Sequence, residues 1–381
     1  MTVTQARPRA RTEEPIGHGS PRRRRALGVL GGGGVLLAVL LLHVALRAGP
    51  AVAPPATRFP TAMACPVPGS CTAVDDGGDV LRLVAGRWGR PQAVDAAPLT
   101  AIACAGPASC VAGDADGALL TFDGSRWTRR HRADPGSGAE VATDDVNGIS
   151  AVSCPAPGSC TAVDAAGRDL RSVGGNWSEP RAIRARVDGD FPVGVRPVAS
   201  LACPAAGWCM AISVPGRPLE LDGTTWTAGP YLDLRSTALE ALSGVELPVV
   251  DDVACPAPGA CWAVDYFGDV YRLAGGDWKS LGQVDPALRR RRGLDRVEGD
   301  TRIACPTTSF CMLVDALGDA VTFDGVRWSE PAPIDPLVGF TALSCPTPSF
   351  CAALDDDGSV ALYRDGAWSP PASVEPTGRG R

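Results

Sequence analysis

From residue 60 to residue 376 the apolar positions come in runs of four to six, broken by turn residues, and never in a helical stripe of useful length. The third stretch shows the pattern most plainly. Ala151-Val-Ser-Cys154 is one run, and Pro155-Ala-Pro-Gly-Ser159 interrupts it. Cys160-Thr-Ala-Val163 is a second run, and Asp164-Ala-Ala-Gly167 interrupts that. A third run follows, and Gly175-Asn-Trp177 opens a fourth. Proline and glycine at the breaks preset turn dihedrals, so each unit predicts four short antiparallel strands, A to D. One short helix is expected in a connecting loop, near Arg235 to Ser243.

The unit recurs seven times. All fourteen cysteines fall into pairs six residues apart, and a tryptophan two or three residues after a glycine closes each unit, at Trp88, Trp127, Trp177, Trp226, Trp278, Trp328 and Trp368. Four strands per 40 to 50 residues, repeated seven times, predict an all-β, seven-bladed β-propeller of four-stranded blades. The blades start near residues 61, 100, 150, 199, 251, 301 and 341. Small residues dominate strands A and B, while the large Trp sits on strand D. That suits blades that diverge from hub to rim. Fully burying one Trp removes on the order of 200 Å² from water, roughly 5 kcal/mol gross at about 25 cal/mol per Å². Trp208 and Trp262 stand outside the repeat and are expected to fill gaps between blades, with an exposed aromatic surface as the other reading.

Identical spacing in every unit pairs each cysteine with its neighbour: Cys65–Cys71, Cys104–Cys110, Cys154–Cys160, Cys203–Cys209, Cys255–Cys261, Cys305–Cys311 and Cys345–Cys351. Each bond would staple an A–B hairpin, at about 2 kcal/mol in the chain-entropy model. Zinc does not suit this spacing, nor the proline that follows the first cysteine in six of the seven pairs. Disulfides require an oxidising compartment.

An independent signal points to the same compartment. Residues 26–46 carry no charge, and 21 helical residues would span about 31 Å, the thickness of a bilayer's hydrocarbon core. Arg22 to Arg25 precede this run and only Arg47 closely follows it, which leaves residues 1–25 as a basic cytoplasmic tail. The expected order is then a transmembrane signal-anchor over 26–46, a Pro/Ala-rich linker over 47–59, the extracytoplasmic propeller over 60–376 and a short tail over 377–381. A cleaved signal peptide ending near Ala51-Val52-Ala53 is the rival reading, and it also exports the body.

Charge narrows the partners. The first fifty residues are net +6 and the remainder is net −12. A net-acidic body lacks the broad positive surface that nucleic acid requires. The membrane is met through 26–46, and the candidate partners of the body are an extracytoplasmic protein, a glycan or an anionic polymer. No cofactor and no metal requirement is read from the chain.

The unit resembles the Cys-Pro-containing β-propeller repeats of secreted bacterial proteins, and is more distantly similar to the Asp-box repeats of sialidase-type propellers. Thr121-Phe-Asp123-Gly124-Ser-Arg-Trp127 and Thr322-Phe-Asp324-Gly325-Val-Arg-Trp328 look like an Asp-box turn one residue short, whereas Gly86-Arg-Trp88 and Gly175-Asn-Trp177 keep no Asp. The resemblance implies fold. Sialidase catalysis does not carry over, because no matching arginine triad or Tyr–Glu pair is present.

In this strand order the B–C turns and D–A connections share the top face, where two constellations fall. Four residues after each second cysteine stand Asp75, Asp114, Asp164, Asp265, Asp315 and Asp355, with Ser213 in the fourth blade. Asp-x-x-Gly is first a turn, the carboxylate accepting local N–H groups, and second a ligand or cation site, beside which Asp76, Asp356 and Asp357 add charge. The other constellation is basic: Arg129, Arg130, His131 and Arg132 in one loop, Arg181, Arg184 and Arg186 in a second, Arg289, Arg290, Arg291 and Arg292 in a third. These could meet an anion, although acidic residues share the same loops. Every cysteine is committed to a staple, and the three histidines form no set with a nucleophile. A binding or scaffold propeller is therefore expected over the alternative, a carbohydrate-active hydrolase or lyase that uses top-face carboxylates.

Overall fold

The computed structural model describes residues 58–132, 148–185, 193–194, 198–213, 216–232, 250–288, 300–336 and 338–374. The apolar run 26–46, the tail 1–25, linker residues 47–57, the helix expected near 235–243, Arg186, Arg289 to Arg292 and the tail 377–381 lie outside the described residues. Among the described residues no helix is long and apolar enough to cross a membrane.

The units fold as seven antiparallel sheets in four-stranded order, with the outermost strand split into two short pieces in blades one, three and seven. In blade three, strand A is Ile149–Ala156, B is Ser159–Asp164, C is Arg168–Val173 and D is the short Asn176–Trp177. The other A strands are Pro60–Val67, Leu99–Gly106, Val198–Ala205, Val250–Ala257, Arg302–Thr307 and Phe340–Thr347. These A strands pack side by side around the hub, and that of blade one meets that of blade seven, closing the ring. No strand is exchanged at the closure, because every blade is built from consecutive strands. Apolar packing of Met63, Leu81 and Leu83 on Phe350, Leu354 and Val360 holds this seam, and the Cys65 N–H donates to Ser344 Oγ at 2.9 Å.

Alternation along each strand sends successive side chains to opposite faces of the blade, so both faces are apolar and the core is a set of seven inter-blade clusters. All seven disulfides join strands A and B of a single blade, and no cysteine is left free. At the bottom face the C–D turn rests on the stapled turn, as where Gly175 N–H donates to Gly158 O at 3.0 Å. At the top the D–A connection rests on the B–C turn, as where Ile183 N–H donates to Gly167 O at 2.9 Å.

The tryptophans depart from the expectation of full burial. Each packs on the cluster shared with the preceding blade, yet only Trp226 is buried and the other six are half-exposed. The wedge is widest at the rim, where strand D is the last layer, so one edge of each indole faces water and the 5 kcal/mol per blade is an upper bound. Trp262 is fully buried between blades five and six, with its ring 4.7 Å from Phe323 and 5.6 Å from Trp328. The expected gap-filling is what it does there. Trp208 is part-buried and donates its indole N–H to Glu220 at 2.9 Å.

Candidate functional site

The repeated aspartates end strand B and build the turn that follows. Oδ1 of Asp75 accepts the N–H groups of Gly77 and Asp79, at 2.9 and 2.7 Å. Asp265 does the same with Phe267 and Asp269, and Asp315 with Leu317 and Asp319. Asp114, Asp164 and Asp355 each accept the N–H four residues on. The glycine three residues after the aspartate has a positive φ, for example 79° at Gly78 and 80° at Gly318, so a left-handed residue closes the turn. At Gly318 a Cβ would sit 1.6 Å from the Asp335 carbonyl oxygen, which leaves no alternative to glycine. All six carboxylates are buried.

Burial disfavours the ionised form, and the seven turns meet this differently. The second oxygen of Asp114 takes Nη2 of Arg129 at 2.8 Å, and that of Asp164 takes Nε of Arg168 at 2.6 Å. In blade one Arg58 pairs with Asp79 and lends its charge to Asp75. Desolvation raises all three carboxyls above the ordinary range, opposed by N–H groups and these guanidiniums. Blade four replaces the carboxylate with Ser213. Beyond it no arginine serves a turn among the described residues. Asp265 has only the Tyr271 hydroxyl, at 3.1 Å, and burial carries it up to about 6. Burial raises Asp355 to about 6 as well, with the charges of Asp357, Asp356 and Asp335 adding to the rise. Asp315 is raised furthest, to about 7, by burial and by Asp285 beside it. Asp356 and Asp357 are exposed at the lip of the seventh turn, and Asp335 is half-buried nearby. Among the described residues the repeated aspartates are thus arginine-matched over blades one to three and meet no arginine over blades five to seven.

The basic residues fall elsewhere than expected. Arg129 is in strand D of blade two (Trp127–Arg132), not in a loop, because the strand continues past the tryptophan in register with Ala118–Phe122. Its guanidinium bridges Asp114 and Asp95, at 2.8 and 3.1 Å. Arg130 is in the same strand, and its side chain lies outside the described residues. Arg181 and Arg184 sit in two short strands at the rim and line a groove of about 470 Å³ with Arg171, Thr225 and Trp226. Arg171 is committed there to Asp169 at 2.5 Å and to the Gly223 carbonyl at 2.8 Å.

The hub holds a constellation that the repeat concealed. Three residues before the first cysteine, four blades carry alanine (Ala62, Ala101, Ala151, Ala342), while blades four to six carry Ser200, Asp252 and Arg302. Strand A is an edge strand toward the hub, with N–H groups that no strand pairs. Asp252 Oδ1 accepts from Ser200 Oγ at 2.6 Å, and its Oδ2 from the N–H of Ile303 in the next blade at 3.0 Å. Arg302 donates to Thr341 O in blade seven at 2.8 Å and pairs with Asp300. Burial pushes the Asp252 carboxyl up, opposed first by Arg302. The bonds of Asp252 to Ser200 and Ile303 and of Arg302 to Thr341 run between blades, so the arc is an inter-blade clasp. Aligning the repeats on their cysteines and asking where a small residue turns charged would have found it.

No family model matches the chain, and no curated protein does. Solved structures share its fold. YCF48 bound to D1 peptide has a TM-score of 0.56 at 15% identity, covering 82% of this chain and 95% of that one. YCF48 from Cyanidioschyzon merolae gives 0.55 at 13%, covering 82% and 97%. The WD40 beta propeller domain of Doa1 gives 0.56 at 9%, covering 84% and 95%. At these identities the likeness carries the fold alone.

Proposed function

We propose that the chain is a membrane-tethered, extracytoplasmic recognition or scaffold propeller without catalytic activity, which takes a basic segment of a protein partner against the acidic top of blades five to seven. The observation that carries this is the pairing of exposed Asp356 and Asp357 with the buried Asp355, which no arginine contacts among the described residues. Uncompensated charge on a rigid turn attracts and orients a lysine- or arginine-bearing partner. That a propeller of similar fold is described as bound to a peptide supports a peptide or protein ligand. The uncharged run 26–46, flanked by Arg22 to Arg25, supports the tether, and seven disulfides fit an oxidising address.

One observation favours the hydrolase alternative: Asp285 and Asp315 converge at the top face. Glycoside hydrolysis, however, places water or a sugar between two carboxyl groups. Here the facing oxygens are closed to solvent. The binding reading is therefore preferred. The rim groove would suit a glycan or an anionic polymer less well, since Arg171 is already engaged.

The test is fluorescence anisotropy of the full-length protein in detergent with labelled Lys/Arg-rich and Asp/Glu-rich peptides of equal length. Preference for the basic peptide, weakened by salt and by the double change Asp356→Asn and Asp357→Asn, is expected. Equal binding of both peptides would sink the reading. Protease protection of the body in intact cells would overturn the address.

A further inference from the structure

Two of the buried carboxylates lack what their counterparts have. Asp285 and Asp315 are 1% and 0% exposed, from the D–A connection after blade five and the B–C turn of blade six. Each spends Oδ1 on backbone N–H groups, of Ala287 for Asp285 and of Leu317 and Asp319 for Asp315. Oδ2 of each is sealed from water and receives no hydrogen bond among the described residues. Ligand oxygens of Asp285, Asp315 and Asp319 all lie within 4.8 Å of one another. The Oδ2 atoms of Asp285 and Asp315, with neither water nor a donor, call for a bound cation or a shared proton, since an unpaired buried anion is too costly to keep.

Blade two shows which charge the repeat uses. Asp95 follows Val94, whose N–H donates to Gly78 O, just as Asp285 follows Val284, whose N–H donates to Gly268 O. Asp95 and Asp114 therefore form the equivalent pair, and Arg129 lies across both. Arg129 is the second residue after Trp127. The second residue after Trp328 is Glu330, which is exposed. Where blade two has Ala118, four residues after its aspartate, blade six has Asp319. Among the described residues blade six thus has no arginine in the place of Arg129, and it carries a further carboxylate.

We propose that this position binds a calcium ion, held by Asp285, Asp315 and Asp319 at the seam between blades five and six. An all-oxygen, carboxylate set selects a hard cation. Closure to water favours calcium over magnesium, which gives up its hydration shell reluctantly. The ion does at this seam what Arg129 does between blades one and two. This site is separate from the peptide-binding reading and does not depend on it.

The experiment uses full-length protein in detergent, stripped with EDTA and exchanged into metal-free buffer at pH 7.5. Calcium content per chain is measured after equilibration with CaCl2, and Tm is followed with CaCl2 or MgCl2. One tightly held calcium per chain and a rise in Tm of about 5 °C with calcium at a hundredfold excess over Kd are expected, with little response to magnesium. Asp315→Asn and Asp319→Asn should remove the calcium response, and Asp114→Asn should keep it. Glu330→Arg restores the blade-two arrangement and should give a folded protein whose Tm ignores both calcium and EDTA. This variant keeps the test decisive if the aspartate variants fail to fold. No bound calcium, with Tm unmoved by CaCl2, would overturn the site in favour of a proton shared by Asp285 and Asp315. A calcium response that survives Glu330→Arg would overturn it by placing the ion elsewhere.

Discussion

Blades one to three and blades five to seven are built from the same turn, yet they treat its buried carboxylate in opposite ways. Asp114 and Asp164 each meet a guanidinium at hydrogen-bond distance, while Asp265 has only a tyrosine hydroxyl and Asp355 is surrounded by further aspartates. The turn itself needs only Oδ1, which the N–H groups saturate. Oδ2 is therefore free to vary, and in that one atom the two sectors part. The difference teaches that a repeat conserves what its backbone requires and leaves the neutralisation of charge to each blade.

The largest effect should come from removing a counter-charge in the matched sector. Arg168→Ala would leave the buried Asp164 without its partner at 2.6 Å, and should cost about 3 kcal/mol in denaturant unfolding. Next, the same conservative change should have opposite signs in the two sectors. Asp164→Asn keeps the turn but breaks the ion pair, and should lose about 1–2 kcal/mol at pH 7.5. Asp265→Asn keeps its accepted N–H bonds and sheds an unfavourable charge, so it should be neutral or slightly stabilising. If both variants lose the same stability, the sectors do not differ.

A smaller effect is expected from pH. Asp265 and Asp355 are raised from 3.8 to about 6 in the folded chain, so their protonated forms are favoured by folding. The stability this gives is complete below about pH 4 and is lost as pH rises through 6. Thermal unfolding should therefore show a higher Tm at pH 5 than at pH 7.5, and the double change Asp265→Asn and Asp355→Asn should flatten that slope. Smallest of all, replacing exposed Asp356 and Asp357 with asparagine should weaken a basic peptide by roughly two- to fivefold at low salt and leave unfolding unchanged.

Much of this fold was legible because its signals repeat. Cysteine pairs and closing tryptophans recur seven times and Asp-x-x-Gly turns six, and local spacing alone fixes hairpins. The asymmetry was not legible by the same route. That Arg129 reaches both Asp95 and Asp114, or that Asp252 caps the Ile303 N–H, depends on which faces of neighbouring blades meet. Repeat logic hides such pairs, because it attends to what the units share. The useful signal was the exception, visible as Glu330 in the place of Arg129 and as Ser200, Asp252 and Arg302 in a column otherwise of alanine. Half-exposure of the tryptophans was a matter of geometry, since composition does not reveal how wide the rim opens.

The joint between the first and last blades is made of apolar side chains and a hydroxyl-to-amide bond like the one Ser153 makes with the Cys203 N–H within the chain, with no shared strand and no covalent tie. The circle consequently has no privileged origin. A permuted chain that joined residues 374 and 58 through a short linker and began instead at another D–A connection should close into the same ring, each staple already confined to its own blade.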